Sequence, residues 1–127
     1  MGTYYKGNAP YYHTLKENID NIKKYFILNS SGYFGEVGKV QVENIRQINA
    51  LNQIESAKDF YNTISYGGIE SSLPNNKGVK TQLKDGTIIV YREITSTEGS
   101  PAVEINIKNS NDNCSIQNQK IHFERIF

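Results

Sequence analysis

KDGTIIVYR, residues 84–92, opens the final third of this chain, where the pattern of β-strands is clearest. Asp85-Gly86 is a hairpin turn signal, and the apolar run at 88–90 has the composition of a β-strand. Two further segments of the same kind follow, VEINI at 103–107 and QKIHF at 119–123. The region therefore predicts short β-strands separated by turns.

Alternation within these segments assigns their side chains to faces, because successive residues of a strand point to opposite sides of a sheet. Val103 and Ile105 would share an apolar face, and Ile121 and Phe123 would do the same in the last strand. The opposite face would gather Glu104, Asn106, Lys108, Lys120, His122 and Glu124. With Arg92 at the end of the first segment, this polar face is where we place the function.

The length, net charge and cysteine count of the chain limit the classes of function that it can have. A chain of 127 residues fits one ordinary domain, and its net charge of +1 indicates that any nucleic-acid binding comes from a local patch. Residues 77–92 supply such a patch, with four cations and one carboxylate giving a net charge of +3. The single cysteine, Cys114, predicts no internal disulfide, and no apolar run approaches the length of a membrane span.

The earlier part of the chain predicts helices. Thr14 and Glu17 have the spacing of a capping box before a helix over 14–28, and apolar residues every three positions predict a second helix over 40–54. A third helix is expected over 56–64, and a strand over 79–83. The predicted fold is α+β, with N-terminal helices packed on one face of an antiparallel sheet of about four strands.

Two regions are expected within this fold. Residues 1–54 would form an N-terminal arm, rich in tyrosine at its start, followed by helices. Residues 55–127 would form the functional core, and the two regions would belong to one compact domain.

Several strings of the C-terminal third carry a resemblance: IIVYR (88–92), the Thr/Ser cluster at 95–97, GSPAVEI (99–105) and KIHF (120–123). Together they resemble the C-terminal toxin domains of bacterial polymorphic toxins, including those of contact-dependent growth inhibition proteins and filamentous haemagglutinins. The resemblance covers about residues 55–127, whereas residues 1–50 match nothing in it.

That resemblance implies a member of the barnase–EndoU–colicin–RelE group of small α+β ribonucleases. It implies metal-independent cleavage of RNA, often tRNA, with no cofactor. It also implies a cognate immunity protein, export as part of a larger secreted or cell-surface toxin, and action in the cytoplasm of a neighbouring cell. No membrane association of the mature domain is expected.

The residue types that this chemistry requires are present. Metal-free RNA cleavage activates the 2′-hydroxyl with a base, protonates the leaving 5′-oxygen with an acid and stabilises the charged phosphate with donors. Imidazole and guanidinium suit the proton transfer and the phosphate contact respectively. The candidate catalytic residues are His122, Arg92, Glu104, Lys120 and Thr95, and the candidate substrate-binding residues are Lys80, Ser96, Thr97 and Tyr91.

Each assignment has a structural alternative. Arg92 and Glu104 would have no catalytic role if they formed only a structural ion pair. A histidine or tyrosine in a strand often packs against its neighbours without taking part in catalysis. The Thr/Ser cluster is also compatible with a turn before Gly99 and Pro101. At the level of the whole chain, the alternatives are a non-enzymatic protein-interaction domain and a DNase toxin.

Overall fold

The computed structural model describes residues 13–93, 100–108 and 115–126, together with the backbone of residues 4–5. All structural statements below refer to these ranges.

Two α-helices occur in the described ranges, α1 (Leu15–Ile22) and α2 (Gln53–Ile64), with a short 3₁₀ turn at Pro74–Asn76. The predicted capping box is confirmed, since Thr14 and Glu17 cap each other's backbone at the start of α1. Helix α1 ends at Ile22, well before residue 28. Helix α2 begins three residues earlier than expected, because Asn52 caps it by accepting a hydrogen bond from the Glu55 amide. Neither helix is long and apolar enough to cross a membrane.

One mixed sheet contains all the described strands. The strands are β1 (Tyr4–Tyr5), β2 (Glu36–Val37), β3 (Ile45–Ala50), β4 (Ile69–Ser72), β5 (Gly78–Gln82), β6 (Ile88–Arg92), β7 (Ala102–Asn106) and β8 (Gln119–Arg125). Their spatial order is β1-β4-β5-β6-β7-β8-β3-β2. Only the pairing of β3 with β8 is parallel; the other pairs are antiparallel.

The prediction of an antiparallel sheet of about four strands behind N-terminal helices is wrong. The four expected strands are present as β5 to β8, but four more extend the sheet on both sides. Strands β2 and β3 precede α2, so the helices do not form an N-terminal block. The missed strands are short or lie far along the chain from their partners, and local patterns do not reveal such pairings.

The predicted helix over 40–54 is also wrong, because strand β3 occupies its centre. The apolar residues that recur every three positions do not form the buried face of a helix, since Val42, Leu51 and Ile54 are exposed. Ile45 and Ile48 lie on opposite faces of β3, and both are half-buried. Pairing with β8 satisfies the backbone of this β-branched segment, and that tertiary contact overrides its weak helical pattern.

The hydrophobic core lies between the helices and one face of the sheet, which we call the helix-side face. Helix α2 packs against β3, β6, β7 and β8, and α1 packs against α2. Phe60 of α2 is central, with its ring 5.1 Å from Phe26, 5.0 Å from Phe34 and 5.6 Å from Phe123. The inward strand residues are those that the alternation predicts, including Val103, Ile105, Ile121 and Phe123.

Candidate functional site

The opposite face of the sheet, the polar face, brings four of the predicted site residues together, with Glu104 at their centre. Lys120 lies directly across from Glu104 in the β7–β8 pairing. His122 is two positions further along β8, opposite Ala102, so it is a diagonal neighbour of Glu104. Arg92 is the diagonal neighbour on the other side, since it also pairs with Ala102. Strand register alone therefore assembles a carboxylate, an ammonium, an imidazole and a guanidinium.

Two residues of this cluster form an ion pair. Arg92 Nε donates a hydrogen bond of 3.0 Å to Glu104 Oε2. The two side chains remain 36% and 23% exposed, so solvent and a docking anion can still reach them. The pair is the structural alternative that the sequence left open. It also fixes the direction in which the guanidinium points, which a phosphate clamp requires.

His122 occupies a more enclosed position than its neighbours. Only 8% of it is exposed, and its Nδ1 lies 3.4 Å from the hydroxyl of buried Ser100. A recess of about 20 Å³ beside it is lined in part by Lys39, Val40 and Gln47. The imidazole is thus held by its surroundings and leaves only a small part of its surface to solvent.

Lys80 belongs to the same face but stands further away. It pairs with Val90, which in turn pairs with Glu104, so two strand spacings, about 10 Å, separate the Lys80 and Glu104 backbones. Lys80 is exposed, as a cation that attracts a polyanion would be.

The remaining predicted residues are not in this cluster. Thr95, Ser96 and Thr97 lie outside the described residues. Tyr91 projects from the helix-side face, opposite to Arg92, and its ring packs 5.7 Å from the ring of Tyr61. Tyr91 therefore lies outside the polar-face cluster, because alternation along β6 turns it to the other side, and its predicted role in substrate binding stays a prediction.

A second group of buried polar residues, which the sequence did not single out, lies on the helix-side face. Tyr61 Oη of α2 donates to Glu70 Oε1 at 2.9 Å and also contacts the hydroxyl of Thr81. Burial raises the pKa of Tyr61 to about 12 and raises that of Glu70 above its ordinary value. Glu70 belongs to strand β4, which the sequence analysis did not predict, and its position opposite Thr81 places it on the helix-side face.

Within the described residues, no group of three His, Cys, Asp or Glu side chains is arranged to hold a metal ion. Comparison of the chain with protein-family models, with curated proteins and with solved structures gave no match. Any functional assignment therefore depends on the residues of the polar face.

Proposed function

We propose that this chain is a toxin ribonuclease that cleaves RNA, with tRNA as the preferred class, by attack of a 2′-hydroxyl on the adjacent phosphate. The observation that carries the proposal is the position of Glu104, with Lys120 directly opposite and with Arg92 and His122 on its two diagonals. These are the four kinds of group that metal-free phosphodiester cleavage uses.

The reaction assigns one role to each group. The Glu104 carboxylate accepts the proton of the 2′-hydroxyl as the 2′-oxygen forms its bond to phosphorus. The imidazolium of His122 gives a proton to the 5′-oxygen as the bond from phosphorus to that oxygen breaks. Arg92 and Lys120 bind the phosphate oxygens, whose negative charge increases in the transition state. The products are a 2′,3′-cyclic phosphate and a free 5′-hydroxyl.

The polar face also suggests how such a toxin would be neutralised. Its groups lie on adjacent strands and are half-exposed except for His122, so one protein surface could cover them together. An immunity protein with acidic residues at its centre would pair with Arg92, Lys120 and Lys80 in place of the RNA phosphates. Delivery as part of a larger toxin follows from the family resemblance alone.

A non-enzymatic protein-interaction domain is the second candidate. The observations that favour it are the Arg92–Glu104 ion pair and the burial of His122, because both give these residues a structural role. On this alternative, the polar face binds a partner protein and no RNA is cut.

Incubation of the purified chain with total RNA and with tRNA in EDTA tests the proposal. We expect discrete fragments that end in cyclic phosphate. The substitutions His122→Ala, Arg92→Ala and Glu104→Gln should each lower the cleavage rate by about 10²-fold or more. Arg92→Lys should retain part of the activity, because it keeps the charge and loses the planar fork of donors.

Arg125→Ala is the matched control, since Arg125 is an exposed arginine of β8 that points away from the polar face. Circular dichroism establishes that each variant is folded. Full activity in the folded His122 and Arg92 variants would exclude the assigned roles. Intact RNA together with tight binding of a partner protein would favour the interaction domain, and DNA nicking that requires a metal ion would indicate a DNase.

A further inference from the structure

A groove of about 460 Å³ lies on the helix-side face, between α2 and the outer strands β4 and β5. Lys58 and Asn62 of α2 form one wall, and Glu70, Val79 and Tyr91 form the sheet side. The volume is within the range of small-molecule sites, about 300–1,000 Å³, and exceeds that of a single aromatic ring system. Helix α2 packs against β3, β6, β7 and β8, and it reaches β4 and β5 through the side chain of Tyr61.

One of the residues that line the groove carries a polar atom without a partner among the described residues. The hydroxyl oxygen of Tyr91 is fully buried and has no hydrogen-bond partner among the described residues. A buried hydroxyl in that state costs free energy, and native proteins rarely retain one without a reason. A small movement of the Tyr91 side chain toward the groove would let a ligand with a polar edge supply the missing hydrogen bond.

The other polar groups of the groove define which edge it would recognise. The carboxyl group of Glu70 is held in place by Tyr61 Oη at 2.9 Å. Carboxylate oxygens accept hydrogen bonds from amino groups, and a hydroxyl such as that of Tyr91 can donate or accept. Lys58 stands exposed at the rim, where its ammonium can pair with a phosphate.

We propose that this groove binds a nucleobase that carries an exocyclic amino group, as adenine, cytosine and guanine do, with Glu70 and Tyr91 contacting its polar edge. Unpaired bases are recognised by aromatic side chains and by hydrogen bonds to their edges, and two tyrosines and a carboxyl group line this groove. Uracil has no amino group and would bind more weakly.

The inference rests on the proposed function in one respect, namely that RNA supplies the base. Tyr91 and Arg92 are consecutive residues of β6 that project from opposite faces, and the groove includes Gly78 and Glu93 at this same end of β6. Gly78 pairs with Arg92, and a Cβ there would clash with the carbonyl oxygen of Tyr91. An RNA strand that passes around this end of the sheet could place a base in the groove and a phosphate at Arg92.

Titration of the full chain with the four nucleoside 5′-monophosphates and with ribose 5-phosphate, followed by ¹H–¹⁵N NMR, tests the inference. These compounds contain no phosphodiester between nucleotides, so their binding is measured independently of cleavage. We expect AMP, CMP or GMP to bind at least about tenfold more tightly than UMP and ribose 5-phosphate, the difference that one or two hydrogen bonds produce. The perturbed amides should lie in α2, β4 and β5.

Three variants sharpen the test. Tyr91→Phe should weaken binding of the preferred nucleotide about fivefold or more, since it removes only the hydroxyl. Glu70→Gln should shift the preference toward UMP, because an amide can donate to the uracil carbonyl. Thr87→Val is the control: it removes another buried hydroxyl that has no partner among the described residues but does not line the groove, and binding should be unchanged.

The outcomes separate this inference from the proposed function. Equal binding of all five compounds, no binding, or binding that Tyr91→Phe leaves unaltered would overturn the groove assignment even if RNA is cleaved. Selective nucleotide binding by a chain that leaves RNA intact would support the groove and count against the ribonuclease. In a further outcome, free mononucleotides bind but Tyr91→Phe leaves the base preference of RNA cleavage unchanged. That result would assign the groove to free nucleotides and overturn its role toward RNA.

Discussion

At the scale of single residues, the helix-side face holds two tyrosines in contrasting states. Tyr61 has partners in Glu70 and Thr81, whereas the hydroxyl of Tyr91 has none among the described residues. Burial raises the pKa of both phenols to about 12, and for Tyr91 the nearby charge of Glu93 contributes as well. Both phenols therefore stay neutral at physiological pH and act as hydrogen-bonding groups.

Glu70 gives this cluster a pH dependence. Burial raises the pKa of its carboxyl above the ordinary value of 4.5. The folded state therefore binds this proton more tightly than the unfolded state does. The resulting contribution of Glu70 to the free energy of unfolding is complete below about pH 4.5 and is lost as the pH rises through the raised pKa. We expect Glu70→Gln, which keeps an oxygen acceptor for Tyr61, to match the wild type at low pH and to exceed its free energy of unfolding at about pH 7.

Urea unfolding at a series of pH values between about 4 and 8 measures this difference. Curves for the two proteins that stay parallel over the whole range would contradict the expectation.

At the scale of secondary-structure elements, one buried amide joins the two helices. Asn18 of α1 is completely buried, and its Nδ2 donates to the carbonyl oxygens of Ile64 at 2.8 Å and Tyr66 at 2.9 Å. These carbonyls lie at the C-terminal end of α2, where the helix has no partners of its own for them. His13 completes the arrangement, with its Nδ1 3.0 Å from Asn18 Oδ1.

Asn18→Ala should therefore lower the free energy of unfolding by about 1–3 kcal/mol, because it leaves buried carbonyl groups without donors. Asn21→Ala is the matched control on the same helix, at an exposed position, and we expect it to be neutral or slightly stabilising, since alanine is the better helix former. Thermal and urea unfolding of both variants provide the comparison. Equal effects at the two positions would show that the interhelical hydrogen bonds contribute nothing.

At the scale of the whole molecule, the part of the chain before α2 completes both the sheet and the core. Strand β3 pairs in parallel with β8 along six residues, from Ile45 opposite Lys120 to Ala50 opposite Arg125. Leu15, Ile19, Ile22 and Phe34 are all buried in the core. The expected boundary between residues 54 and 55 falls inside α2.

A fragment of residues 51–127, which keeps α2 whole but lacks α1, β2 and β3, should not fold. The four buried side chains that it loses contribute about 1.5–3 kcal/mol each, together comparable with the whole stability of a typical domain, about 5–15 kcal/mol. We expect no cooperative thermal transition and poorly dispersed amide signals, with the full chain as the reference. A sharp transition in the fragment would show that residues 51–127 are an independent unit.

The sequence predicted the C-terminal strands and the composition of their faces well. Alternation alone assigned Val103 and Ile105 to the core and Glu104 to the polar face, and the turn at Asp85-Gly86 set the hairpin between β5 and β6. The prediction failed for β3, where residues that recur every three positions suggested a helix. Its partner β8 lies about 75 positions away along the chain, and no local pattern encodes such a pairing.

The alternation of residues along β6, β7 and β8 is enough to assign their side chains to faces, because the two-residue period of a strand requires no knowledge of its neighbours. Three features required the three-dimensional structure: the contact of Arg92 with Glu104, the enclosure of His122, and the groove that Tyr61, Glu70 and Tyr91 line together. Those outcomes depend on strand register and on where α2 crosses the sheet, and both are set by contacts between residues distant in the chain.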